Sequence, residues 1–311
     1  MSRRRTSAAP GGARTTIGAV LTCWMSDRRS ELPDAANELP PVPWTAAYLV
    51  RRDKVLRACV TDLELLKLFS ARSRLPAGYG IGVDERCVEY PWVLAHVSDG
   101  PGRLLDAGAT LNYDFLLSLA ALRRKQIHCL TLAPESDWVW HRGPSYVFED
   151  LRHLPLRDGI YETVVCLSTL EHVGCDNSFY TDQPIAKDAR PMDFVVVARE
   201  LWRVLKPGGV LLLTVPYGTY QFHGAFQQFD RDHLTRLVDA LGPNATLSET
   251  FYRYCQTGWQ LASSNDCSSC EYVSWVAEVM RSGHWPEAPR LEADYAANAR
   301  AVACVRAVKP G

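Results

Sequence analysis

Residues Tyr146 to Val173 read YVFEDLRHLPLRDGIYETVVCLSTLEHV, and the fold follows from how this stretch is divided. A short strand ends in Glu149-Asp150, an irregular polar turn follows, and Glu162 to Leu167 make a near-continuous apolar run. Such a run suits a strand in a parallel sheet covered on both faces. Open α/β sheets take their ligands beyond the carboxyl ends of the strands. Glu149, Asp150, Ser168, Thr169, Glu171 and His172 are therefore expected to gather at one sheet edge.

Working outward, Gly102 to Asp106 reads as a first strand, followed by the turn Ala107 to Asn112 and a helix from Asn112 to Lys125. Ile127 to Leu132 is a second strand. Beyond the opening stretch, Phe194 to Leu205 is an amphipathic helix with Val197, Leu201, Val204 and Leu205 inward, stopped at Lys206-Pro207-Gly208-Gly209 by a cation and helix breakers. Strand Val210 to Val215, helix Asp232 to Ala240, a strand pair over Thr250 to Leu261 around Thr257-Gly258, and strand Ala301 to Val308 complete the alternation. The fold class is α/β, a doubly wound Rossmann-like sheet with an antiparallel closing strand pair.

Ahead of this lie two segments. Residues 1–43, rich in Ser, Arg, Ala, Gly and Pro, read as a flexible arm, and 44–82 as a helical extension whose stripe includes Leu56, Val60, Leu63, Leu66 and Leu68. The main domain then occupies 83–311. A glycine-bearing loop, Tyr79 to Arg86, leads into it and into a helix Asp84 to Val97 with Asp84 as N-cap and Cys87, Tyr90, Val93, Leu94 and Val97 on one face.

Composition narrows the function classes. Lys+Arg number 34 against Asp+Glu 35, a formal net charge of −1, which removes the broad attraction that a nucleic-acid or anionic-membrane binder uses. Hydrophobic residues at 47% support a sizeable core. No apolar run reaches membrane-spanning length. Ten dispersed cysteines, several inside apolar runs, read as reduced buried thiols of a cytoplasmic protein. Cys255, Cys267, Cys270 and Cys175 are candidates for a zinc tetrad, but one CxxC without a partnered CxxC is read as loop thiols, with no metal expected.

Three segments carry a resemblance: LLDAGATLN (104–112), Asp150 before Leu154-Pro155 with Leu170-Glu171-His172-Val173 after the fourth strand, and ELWRVLKPGGVLLLTVPYG (200–218). Together they resemble class I S-adenosylmethionine-dependent methyltransferases of the type 11 kind over roughly residues 83 to 240. Asp84-Glu85-Arg86 before Glu89-Tyr90-Pro91-Trp92, and His223-Gly224 ahead of Gln227-Gln228-Phe229-Asp230, look similar to polysaccharide- and sugar-pathway methyltransferases. The resemblance implies S-adenosylmethionine as cofactor, bound by Asp106, Gly108, Ala109, Thr110, Asn112, Asp150, Leu151 and Ser168. It also implies that the segment around Tyr79, Asp84 and Glu85 lies over the cofactor. Two departures stand out: Ala109 and Leu111 replace usual glycines, and Thr131 replaces the acid that holds the ribose, leaving Glu135 as the nearest substitute.

Methyl transfer to oxygen or nitrogen calls for an oriented acceptor and a general base. His223 is the preferred proton acceptor, with His172 and Asp230 as the other candidates. Tyr217, Tyr220 and Phe226 offer ring faces while Gln221 and Gln227 offer amides, a set suited to a small polar acceptor such as a sugar or other hydroxylated metabolite. The opposing reading is a binding or regulatory protein that keeps the fold without turnover.

Overall fold

A computed structural model describes residues 41–134, 139–178, 189–272 and 298–311 of the protein. The arm expected at 1–43 lies outside these apart from its last three residues. Helices α1 (Ala46–Thr61) and α2 (Leu63–Ser70) lie within the helical extension expected over 44–82. The break is Asp62, whose carboxylate caps α2 by accepting from the N–H groups of Glu64 and Leu65 at 3.0 Å.

Helix α3 (Arg86–His96) contains Pro91. A proline inside a helix leaves the carbonyl four residues back without its donor, and here the Tyr79 hydroxyl donates to that Cys87 carbonyl. The expected capping role of Asp84 changes accordingly. Asp84 is buried and accepts from Arg52 Nε of α1 at 2.5 Å and from the Arg86 N–H at 3.2 Å, so it ties α1 to α3 rather than facing solvent.

The strands are β1 (Gly102–Ala107), β2 (Lys125–Thr131), β3 (Ser145–Phe148), β4 (Tyr161–Leu167), β5 (Leu205–Pro216), β8 (Thr246–Cys255), β9 (Gly258–Ala262) and β10 (Ala301–Val308), with a small hairpin of β6 (Gln221–Phe222) and β7 (Gln227–Gln228) apart. Eight form one sheet in the order β3-β2-β1-β4-β5-β10-β8-β9. Pairing is parallel from β3 to β5 and antiparallel from β5 through β9. Strand β1 lies between β2 and β4, so the strand order reverses there and the β1 and β4 loops open side by side.

The sequence expectation fails locally between β1 and β2. In place of a helix over Asn112 to Lys125 there is only one helical turn, α4 (Asp114–Leu117), followed by turns. Phe115, Leu116, Leu117, Leu119 and Leu122 supply too broad an apolar run for one stripe, and Leu116, Leu117 and Leu122 are all buried. After β4 and a 3-10 turn at Leu170–His172, helix α5 (Phe194–Val204) packs against the sheet. Its last carbonyls, Trp202 and Leu205, accept from Lys309 Nζ at 2.6 Å, the role that the sequence assigns to Lys206. Lys206 instead pairs with Glu162.

The N-terminal helices share a core with the sheet. Leu56, Val60, Leu65, Phe69 and Leu75 join one cluster with Tyr252, Tyr254, Trp259 and Val302. The glycine-bearing loop is stitched to the β8–β9 hairpin: Trp259 Nε1 donates to the Val83 carbonyl at 2.9 Å, the Trp259 N–H to Tyr79 O at 2.7 Å, and the Gly82 N–H to the Tyr254 hydroxyl at 2.6 Å. Gly258 has φ +88°, and a Cβ there would stand 2.2 Å from Tyr79 O, so only glycine lets the two turns meet. No helix among the described residues is long and apolar enough to cross a membrane.

Trp259→Ala should cost about 3–5 kcal/mol, because a buried ring and its hydrogen bond are lost together. Urea unfolding followed by near- and far-ultraviolet circular dichroism measures it. Loss of under about 1 kcal/mol would contradict the shared core.

Candidate functional site

The turn after β1 is held from within. Asp106, fully buried, accepts from the Thr110 N–H at 3.1 Å, the Thr110 hydroxyl at 3.2 Å and the Leu111 N–H at 2.8 Å. Those N–H groups are thus taken by the chain's own carboxylate, and Asp106 shapes the turn. Gly108 has φ +108°, and a Cβ there would lie 2.2 Å from Thr169 Oγ1. The β1 and β4 loops can therefore close on each other only through a glycine. Asn112 is turned away from the cleft as well, accepting from the Tyr146 hydroxyl at 2.8 Å.

After β3, Asp150 is claimed by its neighbour. Arg152 donates to Oδ1 through its backbone N–H at 2.8 Å, and its guanidinium bonds both carboxylate oxygens at 2.6–3.0 Å. Burial pushes the Asp150 carboxyl up, but the Arg152 contacts outweigh it and hold it below the usual carboxylate range. Arg152 also reaches Asp193 at 2.7 Å, linking the β3 loop to the start of α5.

At the end of β4, Ser168 adopts φ +36°, uncommon for a residue with a Cβ. Its hydroxyl donates to Glu89 Oε1 at 2.6 Å, and Glu89, fully buried, also accepts from Thr214 of β5 and pairs with Arg86. His172 follows, its Nδ1 3.0 Å from the Ala225 carbonyl. A carbonyl only accepts, so Nδ1 carries the hydrogen and Nε2 is the basic nitrogen of the neutral ring. Burial pushes the His172 pKa down to about 4, against the opposing pull of the Ala225 bond.

These elements surround a cleft of about 270 Å³. Gly108, Ala109 and Thr110 form one wall, with Asp150, Leu151 and Arg152 beside Thr131 at another, and Ser168, Thr169, His172 and Asn177 at the β4 side. Arg86, Tyr90 and Tyr113 close it. The cradle at Gly108, the glycine-like φ of +54° at Ala109 and the acid at Asp150 fit the amino-acid and adenosine parts of S-adenosylmethionine. Thr131 stands where an acid was expected, and Glu135 lies outside the described residues. Residues 179–182 of the segment after Val173 lie outside the described residues too.

The loop after β5 does not join this lining. Tyr217 is buried against Phe251, and Tyr220 stacks on His233 at 4.3 Å. Gln221 accepts from the Tyr272 N–H at 2.9 Å, and Gln227 donates to Pro191 O at 2.5 Å. Phe226 is buried between two imidazoles, 4.6 Å from His223 and 5.8 Å from His172. His223 is thereby kept off the cleft. Asp230 caps the next helix, α6 (Arg231–Asp239), accepting from the His233 N–H at 3.0 Å and contacting its Nδ1 at 2.7 Å. The rings and amides of this loop make packing contacts around the β6–β7 hairpin.

Sequence reasoning does not single out Arg86, Tyr90, Tyr113 or Arg152 as site residues. The available signal was Glu89, a charge on a helix face otherwise marked by Cys87, Tyr90, Val93 and Leu94, since a buried acid requires partners. Among the described residues no three His, Cys, Asp or Glu side chains are grouped as metal ligands. Cys267 and Cys270 are buried and Cys255 is partly exposed at the β8–β9 turn.

Residues 105–213 match the family model of a methyltransferase domain. The fold is similar to that of the Burkholderia thailandensis 1,6-didemethyltoxoflavin-N1-methyltransferase, solved with bound 1,6-didemethyltoxoflavin and S-adenosylhomocysteine, at 14% identity and TM-score 0.42 over 90% of this chain and 94% of that one. A putative sarcosine dimethylglycine methyltransferase from Galdieria sulphuraria gives 15% and 0.42 over 73% and 87%. The [4+2]-cyclase SpnF gives 19% and 0.41 over 88% and 99%. No curated protein matches the chain. Likenesses this distant say nothing of what this cleft binds.

Glu85, at the start of α3, has its pKa pushed up to about 8 by burial, then by Asp84 and Glu89. Its ordinary value is 4.5, so between these values the folded protein holds a proton that the unfolded chain has released. That contribution to stability is complete below pH 4.5 and is lost as pH rises to about 8. Glu85→Gln should flatten the fall and be more stable than the wild type at pH 8, as measured by urea midpoints across that range. An unchanged slope would contradict the burial of this carboxyl.

Proposed function

We propose that this chain, whose residues 105–213 match the family model of a methyltransferase domain, is an S-adenosylmethionine-dependent methyltransferase that methylates a small polar acceptor with His172 as the proton acceptor. The observation that carries this reading is the placement of His172 in the cleft lining, with its tautomer set by the Ala225 carbonyl. When bound, S-adenosylmethionine supplies a methyl group on a sulfonium, which an acceptor lone pair takes as the S–C bond breaks and its electrons leave on sulfur.

The chain's residues do the rest. Gly108, Ala109 and Thr110 would hold the amino-acid end, and Asp150 with Leu151 the adenine. For Asp150 to accept from the adenine amine, Arg152 must surrender part of its hold on the carboxylate. His172 is kept neutral by burial, so its Nε2 can receive the acceptor's proton without first losing one. A small molecule rather than a nucleic acid is supported by the net charge of −1. The residues behind a sugar acceptor, Tyr217, Tyr220, Gln221, Phe226 and Gln227, stand outside the cleft, so the polar character of the acceptor rests on Arg86, Ser168, His172 and Asn177 instead.

His172→Ala should lower label transfer from methyl-labelled cofactor to extracted metabolites by about 10²–10⁴, with cofactor affinity by calorimetry nearly unchanged. His223→Ala should stay close to wild type, since Phe226 separates it from the cleft. A full loss in His223→Ala with none in His172→Ala would reverse the assignment. Cofactor binding with no transfer to any metabolite would favour a scaffold without turnover.

A further inference from the structure

Two guanidinium groups line the cleft, and they are engaged differently. Arg152 is fully occupied: its Nε and Nη2 bond the oxygens of Asp150 at 2.6–3.0 Å, and its Nη1 bonds Asp193 at 2.7 Å. Arg86 makes one side-chain hydrogen bond among the described residues, from Nη1 to Glu89 Oε2 at 2.5 Å. Its side chain is 19% exposed and none of its nitrogens is sealed without a partner, so Nε and Nη2 stay reachable from the cleft.

The Arg86 guanidinium is held on two sides, by Glu89 and by the Tyr90 ring, whose centroid is 5.9 Å from its central carbon. Both supports are themselves fixed. Glu89 accepts from Ser168 and Thr214, and the Tyr90 hydroxyl donates to the Thr110 carbonyl at 3.2 Å. Burial depresses the His172 imidazole most, and the positive charge of Arg86 adds to that depression, which sets the guanidinium close to this ring.

The turn after β1 offers an anion no comparable donors. From Gly108 to Tyr113 every backbone N–H is bonded within the chain: Gly108 to the Leu130 carbonyl at 2.8 Å, Ala109 to the Asp106 carbonyl at 3.4 Å, Thr110 and Leu111 to the Asp106 carboxylate, Asn112 to the Ala109 carbonyl at 3.3 Å and Tyr113 to the Leu111 carbonyl at 2.7 Å. An anion entering the cleft therefore finds a cation with open donors at Arg86. A guanidinium presents forked edges that match the two oxygens of a carboxylate, so the edge that Glu89 leaves open can take a second one bidentately.

We propose that Arg86 is the carboxylate-binding residue of this cleft, with Nε and Nη2 as the donors. The carboxylate belongs to the amino-acid end of the cofactor or to the methyl acceptor, and the two share one chemistry. In the first case Arg86 selects a cofactor that has kept its carboxylate. In the second it makes the acceptor an anion, docked beside His172. The inference rests on the methyl-transfer reading and deepens it at one side chain.

The test uses the whole protein and calorimetry in two arms. In the first the titrants are S-adenosylhomocysteine and S-adenosyl-3-thiopropylamine, the same thioether without its carboxylate. In the second the protein is saturated with S-adenosylhomocysteine and titrated with propanoate and with its neutral isostere propanamide. The carboxylate should be preferred by at least about tenfold in one arm or the other, and Arg86→Gln should bring that ratio close to one. Preference in the first arm identifies the cofactor as the source, and preference in the second the acceptor. Arg86→Lys guards against a folding defect, since it keeps a cation beside Glu89 while replacing the fork by a point charge. It should lose most of the ratio and keep the near-ultraviolet circular dichroism of the wild type. Absence of carboxylate preference in both arms overturns the inference and leaves methyl transfer standing, as does a ratio that survives in the Arg86 variants or is lost in Arg152→Gln alone. Failure of S-adenosylhomocysteine itself to bind overturns the methyl-transfer reading, and the inference with it.

Discussion

The cleft depends on one buried carboxylate, that of Glu89. It accepts from Ser168 at the end of β4 and from Thr214 on β5, and it pairs with Arg86 on its own helix. Three elements distant in sequence therefore meet at one charged group, and each depends on the others. Arg86 is held at the cleft wall, Ser168 is kept in its positive-φ conformation, and α3 is fixed against the sheet's ligand edge. A charge that is buried and fully hydrogen-bonded is strongly disfavoured when any one partner is lost, and that dependence gives the site its rigidity.

A second constraint comes from the far end of the sheet. The β8–β9 hairpin grips the loop from Tyr79 to Val83 through Trp259, Tyr254 and the close approach at Gly258. Through that grip, α3 is held at both ends of its approach, by aromatic packing at the loop and by Glu89 within the helix. The antiparallel extension therefore orients cleft residues without contributing any to the lining.

How much of this was legible in the sequence depends on the kind of signal involved. Strands buried on both faces announce themselves as apolar runs, so β4 and β10 are placed within a residue of the expectation. The turn glycine Gly108 and the acid Asp150 are legible for the same reason, as local chemistry at a strand end. What a sequence does not display is which partner satisfies a polar group. Asp106 looks like a ligand contact and is used to fold its own turn, while Asp230 looks catalytic and caps a helix. His223 sits in a loop of aromatics and amides that packs into a hairpin instead. Glu89 shows in the sequence only as a charge on an apolar helix face, and its role stays hidden because its partners at 168 and 214 lie far along the chain.

The position of β10 bears on how the protein is made. This strand occupies the interior of the sheet, between β5 and β8, yet is the last strand in chain order. Until residues 301–308 emerge from the ribosome, β5 has no neighbour on one side and the β8–β9 pair has nothing to join. Between the emergence of β5 and β8–β9 and that of residues 301–308, the nascent chain must therefore carry two open hydrogen-bonding edges. Closure of the sheet is a late event, and a chain that stalls shortly before residue 301 would present strand edges ready to pair with other chains, a natural substrate for chaperones.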